Sequence, residues 1–109
     1  MKQRRHTVEQ DRQARQALCE AILSLQNMAE IKAFLGDLTT PAELQALADR
    51  WRVVGLLKQG LPYRVIAERT GVSVTTTGRV ARCLAAPGSG YSIAWSNLSG
   101  ERVAGEANG

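Results

Sequence analysis

Apolar residues in the first part of the chain recur every three or four positions, the spacing of one face of an α-helix. This stripe consists of Ala14, Leu18, Ile22, Leu25 and Ala29. It follows Thr7, and Gln10 stands three residues later, which is the spacing of a capping box at a helix start. The pattern therefore predicts a first helix that begins after Thr7 and ends at Asn27.

A second, shorter helix is predicted directly afterwards. Asn27 can cap it, and Glu30 occupies the third position of the predicted helix. Apolar residues continue at helical spacing through residues 29–35. Gly36 is a typical residue for a helix end because glycine adopts the left-handed conformation at low cost. We expect the helix to stop there.

The strongest helix start in the chain lies at Thr40 and Pro41. Threonine is a favoured cap, proline suits the first helical position, and Glu43 can reach back to the cap amide. The helix is predicted to run to about Lys58 and to end at Gly60.

This third helix is apolar around much of its circumference. Its apolar residues are Leu44, Leu47, Trp51, Val53, Val54, Leu56 and Leu57. Such a helix must be covered on several sides, and the other short helices of one small chain do this poorly. The pattern therefore predicts a homodimer with residues 41–58 at its centre. The alternative is that this segment is the central helix of a compact monomer.

Residues 62–84 have the pattern of a helix-turn-helix. Pro62 stands where a helix can start, and Ala67 is small where a second helix must cross closely. Gly71 occupies the turn, because a positive φ is inexpensive only for glycine. Ser73 then offers an oxygen to the free amides of the second helix. Proteins use this unit to place one helix in the major groove of DNA.

The second helix of this unit has two different faces. Its predicted inner face is Thr77, Val80, Ala81 and Leu84, and its predicted outer face is Thr75, Thr76, Arg79 and Arg82. The threonines and Gly78 are weak helix formers, so this helix should depend on packing or on DNA for its order. The alternative is a plain helical hairpin, but the turn glycine, the cap and the basic outer face together favour DNA binding.

The distribution of charge agrees with a nucleic-acid partner. The chain carries a formal net charge of +4, while residues 1–16 and residues 62–84 each carry +3. Phosphate binding requires such concentrated positive charge. We expect a basic arm over residues 1–13, a helical domain over 14–98 and a flexible tail over 99–109. Between Leu84 and this tail, the apolar residues Tyr91, Ile93, Trp95 and Leu98 are expected to dock a short turn onto the core.

Other chemistry finds little support in the sequence. No catalytic constellation, phosphate-binding loop or metal-ligand spacing appears, so neither an enzyme nor a metal site is expected. The absence of a long apolar run and of a secretory signal favours a cytoplasmic protein without a membrane span. Cys19 and Cys83 are expected to be small, buried, reduced side chains.

Four segments resemble the Trp-repressor superfamily, in particular its branch of Trp-repressor-like regulators of the YerC/YecD type. The matching segments are AILSL (21–25), DLTTPAELQALADRWRVVGLL (37–57), ERTGVS (68–73) and GRVARCL (78–84). They occur in the family's order across roughly two-thirds of the chain. The resemblance implies an all-α fold of about six helices and an intertwined homodimer. Each protomer would present one helix-turn-helix to double-stranded DNA.

The resemblance also implies which residues face DNA. They are Arg64 at the start of the first helix of the unit, and Ser73, Val74, Thr75 and Thr76 at the start of the second. Arginine can bind guanine or phosphate, and threonine offers a hydroxyl and a methyl group to base edges. Further backbone contacts are expected from Arg79, Arg82 and the arm residues Lys2, Arg4 and Arg5.

The best-known member of the superfamily takes L-tryptophan as its corepressor. Its pocket positions correspond to Thr40, Arg50 and Arg79. The next position, Val80, is a glycine in the tryptophan-binding repressor, so the branched side chain fills or blocks that space. Thr40 also serves as a helix cap, Arg50 can be a solvated or ion-paired residue, and Arg79 can contact phosphate without any effector.

The sequence thus predicts a dimeric, sequence-specific transcription regulator, a repressor by expectation, and no cofactor. It leaves open whether L-tryptophan or a similar amino-acid-like effector binds. Two alternatives stay open. One is an effector-independent DNA-binding regulator. The other is a helical dimer that acts as a protein-interaction module.

Overall fold

The computed structural model describes residues 7–100, which form six α-helices and no β-strand. The helices are α1 (Val8–Ser24), α2 (Met28–Leu38), α3 (Pro41–Lys58), α4 (Tyr63–Thr70), α5 (Val74–Ala85) and α6 (Gly90–Ser99). The predicted all-α class and the helix count are confirmed. The arm residues Lys2, Arg4 and Arg5 and the tail segment 101–109 lie outside the described residues.

The chain divides into two compact units, residues 1–41 and residues 42–109. In the first unit, the predicted capping box of α1 is present. The Gln10 amide donates to Oγ1 of Thr7 at 3.0 Å, and the Thr7 amide donates to Oε1 of Gln10 at 2.8 Å. Asn27 caps α2 as predicted, because its Oδ1 accepts from the amide of Glu30 at 3.0 Å.

Two predicted helix ends in the first unit are wrong. α1 ends at Ser24 rather than at Asn27, and α2 continues through Gly36 to Leu38. Gly36 is not among the described glycines with positive φ, so it lies in the helix without providing a stop. The backbone amide of Thr39 closes α2 by donating to the carbonyl of Leu35 at 3.1 Å. A helix-interior glycine costs only about 1 kcal/mol, which does not by itself end a helix.

The first unit contains no buried side chain among its described residues, 7–41. Its apolar residues are instead widely exposed to solvent. The large exposed ones are Val8, Leu18, Ile22, Leu23, Met28, Ile31 and Leu38. The apolar stripe predicted from the sequence therefore exists as a surface of the single chain.

The second unit has a core in which three helices meet. Val53 and Val54 of α3, Ile66 of α4 and Val80 of α5 are buried. Tyr91 and Trp95 of α6 pack against this core, as expected for the first aromatic residues after α5. Their ring centroids lie 6.4 and 6.2 Å from that of Trp51.

Burial on α3 is confined to the carboxyl-terminal half of the helix. The Leu47 side chain remains 45% exposed, whereas Val53 and Val54 are inaccessible to solvent. α3 ends before Gly60 as predicted, with Gly60 at a φ of 80°. The amides of Gly60 and Leu61 donate to the carbonyls of Leu57 and Leu56, which is the hydrogen-bond pattern of a Schellman motif.

The expectation that both cysteines are buried is wrong, since Cys19 and Cys83 are exposed free thiols. Cys19 lies on α1, none of whose residues is buried, and Cys83 lines an open cavity. None of the six described helices combines the length and apolar character that a membrane span requires. Over the same residues, no three His, Cys, Asp or Glu side chains are grouped closely enough to bind a metal ion.

Candidate nucleic-acid interface

α4 and α5 form the predicted helix-turn-helix within the second unit. α4 begins directly after Pro62, whose extended backbone makes it the residue before the first helical turn. Ile66 is completely buried against the core, whereas Arg64 is exposed. This single short helix therefore holds Ile66 inward as an apolar anchor and Arg64 outward.

The turn between the two helices is fixed by backbone geometry. Gly71 has a φ of 77°, and its amide donates to the carbonyl of Ala67 at 2.9 Å. The Thr70 hydroxyl donates to the carbonyl of Ile66 at 2.8 Å and accepts from the amide of Val72 at 3.1 Å. Val72 then packs against the core. Backbone and side-chain hydrogen bonds and an apolar contact therefore stabilise the turn together.

Ser73 caps α5 as predicted, because its Oγ accepts from the amide of Thr76 at 3.0 Å. Thr77 and Val80 form the buried side of α5, which confirms the predicted inner face at these positions. The Thr77 hydroxyl donates to the carbonyl of Ser73 at 2.9 Å. Burial of this hydroxyl therefore leaves no unpaired polar atom at the start of the helix.

The opposite side of the unit is open to solvent. Of the residues predicted to face DNA, Thr76 is half-buried and the others, Arg64, Ser73, Val74, Thr75, Arg79 and Arg82, are exposed. None of these arginines forms an ion pair with another described residue. Their charge is therefore available to an external anion, and their contacts with DNA stay predictions.

Gly78 lies beside two side chains, which the sequence did not indicate. It is buried, and Nη1 of Arg82 and Cε2 of Tyr63 lie 3.5 and 3.7 Å from the point where a β-carbon at residue 78 would stand. A β-carbon at residue 78 would therefore meet both groups at ordinary van der Waals distances. Sequence reasoning treated Gly78 only as a weak helix former.

An open cavity of about 240 Å³ adjoins this surface. Its lining residues come from α3, α5 and α6 and are Arg50, Thr76, Arg79, Val80, Cys83 and Tyr91. The structure thus brings together three of the four predicted effector residues, Arg50, Arg79 and Val80. Thr40 belongs to the first unit and is not a lining residue.

Three lining residues were missed by the sequence reasoning about an effector. Thr76 and Cys83 stand three residues before Arg79 and three after Val80, so all four share one face of α5. That spacing was a usable signal. Tyr91 carried none, because its position depends on how α6 folds back against α5.

The comparisons with known proteins agree with this architecture. The sequence profile of the family described as Trp repressor protein matches residues 13–99. The uncharacterized protein YerC of Bacillus subtilis (strain 168) is 40% identical over 77 residues, which are 71% of this chain and 74% of that protein.

Two crystal structures have a similar fold. A TrpR-like protein from Eubacterium eligens ATCC 27750 has a TM-score of 0.73 and 35% identity, covering 84% of this chain and 94% of its own. A candidate Trp repressor from Staphylococcus aureus has a TM-score of 0.74 and 33% identity, covering 90% of this chain and 99% of its own.

Proposed function

Because this chain belongs to the Trp repressor family, we propose that it is a sequence-specific DNA-binding transcription regulator that represses by covering a promoter. The observation that carries this proposal is the exposed amino-terminal part of α5. It follows a rigid turn, is capped by Ser73 and stands beside exposed arginines. A major groove admits a helix presented in this way.

Each exposed side chain has a defined task in the proposal. Thr75 and Thr76 offer hydroxyl and methyl groups to base edges, and Arg64 binds guanine or phosphate. Arg79 and Arg82 hold the phosphate backbone, which fixes the register of α5 in the groove. Val74 is 51% exposed and can contact the methyl group of thymine.

The protein acts as a homodimer in this proposal. The first unit exposes its apolar stripe, and Leu47 at the amino-terminal half of α3 is also exposed. A second copy of the chain would cover these apolar surfaces on both protomers at once. Two protomers would place their α5 helices in successive major grooves, about 34 Å or one helical turn apart.

Selection of bound duplexes from random DNA tests the proposal. We expect enrichment of a two-fold symmetric site, and anisotropy titrations should show affinity for it falling as salt rises. Uniformly weak binding to all duplexes, or none, would contradict a specific regulator. Retention of protein partners without DNA binding would instead support an interaction module.

Arg64→Ala distinguishes base reading from phosphate binding. The substitution should weaken the selected site by about 1–3 kcal/mol while leaving random duplexes little changed, if Arg64 reads a base. Arg52→Ala on α3 removes the same charge from another exposed position of the second unit and serves as the control. Equal effects of the two variants on DNA affinity would contradict the assignment of Arg64 to the DNA interface.

A further inference from the structure

Two polar side chains from different helices lie beside Gly78. Nη1 of Arg82 on α5 and Cε2 of Tyr63 on α4 are 3.5 and 3.7 Å from the same point. Cε2 is bonded to the ring carbon that carries the hydroxyl group of the tyrosine. Arg82 follows Gly78 by four residues, so its side chain reaches back by about one turn toward the amino end of α5. The guanidinium and the phenol ring are therefore neighbours where α4 packs against α5.

Both groups are open to solvent and have no partner within the described part of the chain. Tyr63 is 45% exposed, and Arg82 is exposed as well. Neither side chain forms a hydrogen bond or an ion pair with another described residue. The hydroxyl of Tyr63 and the guanidinium of Arg82 can therefore both donate hydrogen bonds to an external acceptor.

Arg82 and Arg79 lie toward different neighbouring helices of α5. Arg79 lines the cavity together with Tyr91 of α6, whereas Arg82 lies beside Tyr63 of α4. A helix in the major groove has a phosphate backbone along each side, because the groove is only about as wide as the helix. The two arginines are therefore placed toward different backbones of one groove.

We propose that Tyr63 and Arg82 together bind one phosphate group of the DNA backbone on the α4 side of α5. This inference rests on the DNA-binding function proposed above and adds Tyr63 to the residues that carry it. The hydroxyl donates one hydrogen bond to a phosphate oxygen, and the guanidinium donates charge-assisted hydrogen bonds to the same phosphate. Donors from both helices of the unit then hold α4 and α5 at one position along the backbone.

Tyr63→Phe tests this role, because it removes the hydroxyl and keeps the ring. Anisotropy titrations should show affinity about tenfold lower for the selected duplex. The affinity ratio between the selected duplex and random duplexes should stay unchanged, since a phosphate group carries no sequence information. Thermal denaturation should give the melting temperature of the wild type. A lowered melting temperature together with lowered affinity would instead assign Tyr63 a structural role and overturn the proposal.

Arg82→Gln tests the partner in the pair. The substitution should lower affinity and reduce the slope of log affinity against log salt by about one, because one phosphate contact loses its cation. Arg52→Gln on α3 serves as the charge control and should leave this slope unchanged. If both side chains hold one phosphate, the double variant should lose less affinity than the product of the two single losses.

Two kinds of failure are distinguishable in these titrations. Wild-type affinity in Tyr63→Phe, or losses that multiply fully in the double variant, would overturn the shared phosphate site. Binding of the wild type to its selected duplex would still support the proposed function in that case. Failure of the wild type to bind any duplex would overturn the proposed function and this inference together.

Discussion

The two units of this chain are built from the same local signals but differ in what they bury. α1 and α2 carry side-chain caps at Thr7 and Asn27, just as α5 does at Ser73. Yet residues 7–41 bury no side chain, whereas the second unit encloses an aliphatic core around Ile66. Caps and helical periodicity therefore determine where the helices form, but they do not determine which side chains become buried.

This difference indicates what each unit requires for stability. Short helices gain most of their stability from the packing of an apolar face rather than from propensity. α1 has local support, including a salt bridge between Arg12 and Glu9 at 2.6 Å. That bond lowers the pKa of the exposed Glu9 carboxyl, but an exposed pair adds little stability. We therefore expect the first unit to depend on a second copy and the second unit to depend mainly on its own core.

The largest effect is expected from Ile66→Ala in the second unit. Ile66 is completely buried among Val53, Val54 and Val80, so truncation leaves a cavity and should lower the free energy of unfolding by about 4 kcal/mol. Urea denaturation followed by circular dichroism measures this loss. Glu68→Ala at an exposed position of the same helix is the control. Equal stability of the two variants would contradict the assignment of the core.

Ile31→Glu should have the next largest effect, in the first unit. Ile31 is 39% exposed in the single chain, so a charge there costs little unless a second copy covers it. In the proposed dimer it would be desolvated without a partner, and self-association should weaken by about tenfold or more. Sedimentation velocity over a concentration series measures this. Ala33→Glu, on the opposite face of α2, should leave association unchanged, and matching behaviour of the two variants would place the dimer contact elsewhere.

Gly78→Ala should have the smallest effect, and it should be stabilising. The added β-carbon would meet Arg82 and Tyr63 only at ordinary contact distances of 3.5 and 3.7 Å. Alanine should therefore add up to about 1 kcal/mol of stability to α5. Gly71→Ala is the matched control, and its expected effect has the opposite sign. Residue 71 has a φ of 77°, where a side chain lowers the free energy of unfolding by about 1–2 kcal/mol. Thermal denaturation of both variants should show shifts of opposite sign, and a destabilised Gly78→Ala would mean that the approach of Arg82 is tighter than described.

The sequence predicted the features that depend on neighbouring residues. Three such features each involve residues a few positions apart, and all of them are present. They are the capping box of Thr7 and Gln10, the turn at Gly71 and the cap at Ser73. The inward face of α5 was also predicted from the sequence, because helical spacing places Thr77 and Val80 on the same side of the helix. Helix-turn-helix geometry is therefore largely encoded within residues 62–84.

Other features depend on distant packing and were missed or predicted wrongly. Gly36 resembled a helix stop, but the end of α2 is closed by hydrogen bonds from Thr39 instead. The entry of Tyr91 into the cavity lining follows from how α6 returns to α5. Periodicity within one helix carries no information about such a return.

The central claim is that two copies of α5 read one duplex at a fixed separation. The most direct measurement compares the affinity for the selected two-fold site with that for the same half-sites moved apart by half a helical turn, about 5 base pairs. The inserted base pairs should lower affinity about tenfold or more, because the two half-sites then face different sides of the duplex. Equal affinity for both duplexes would contradict a rigid dimer and with it this account of the protein.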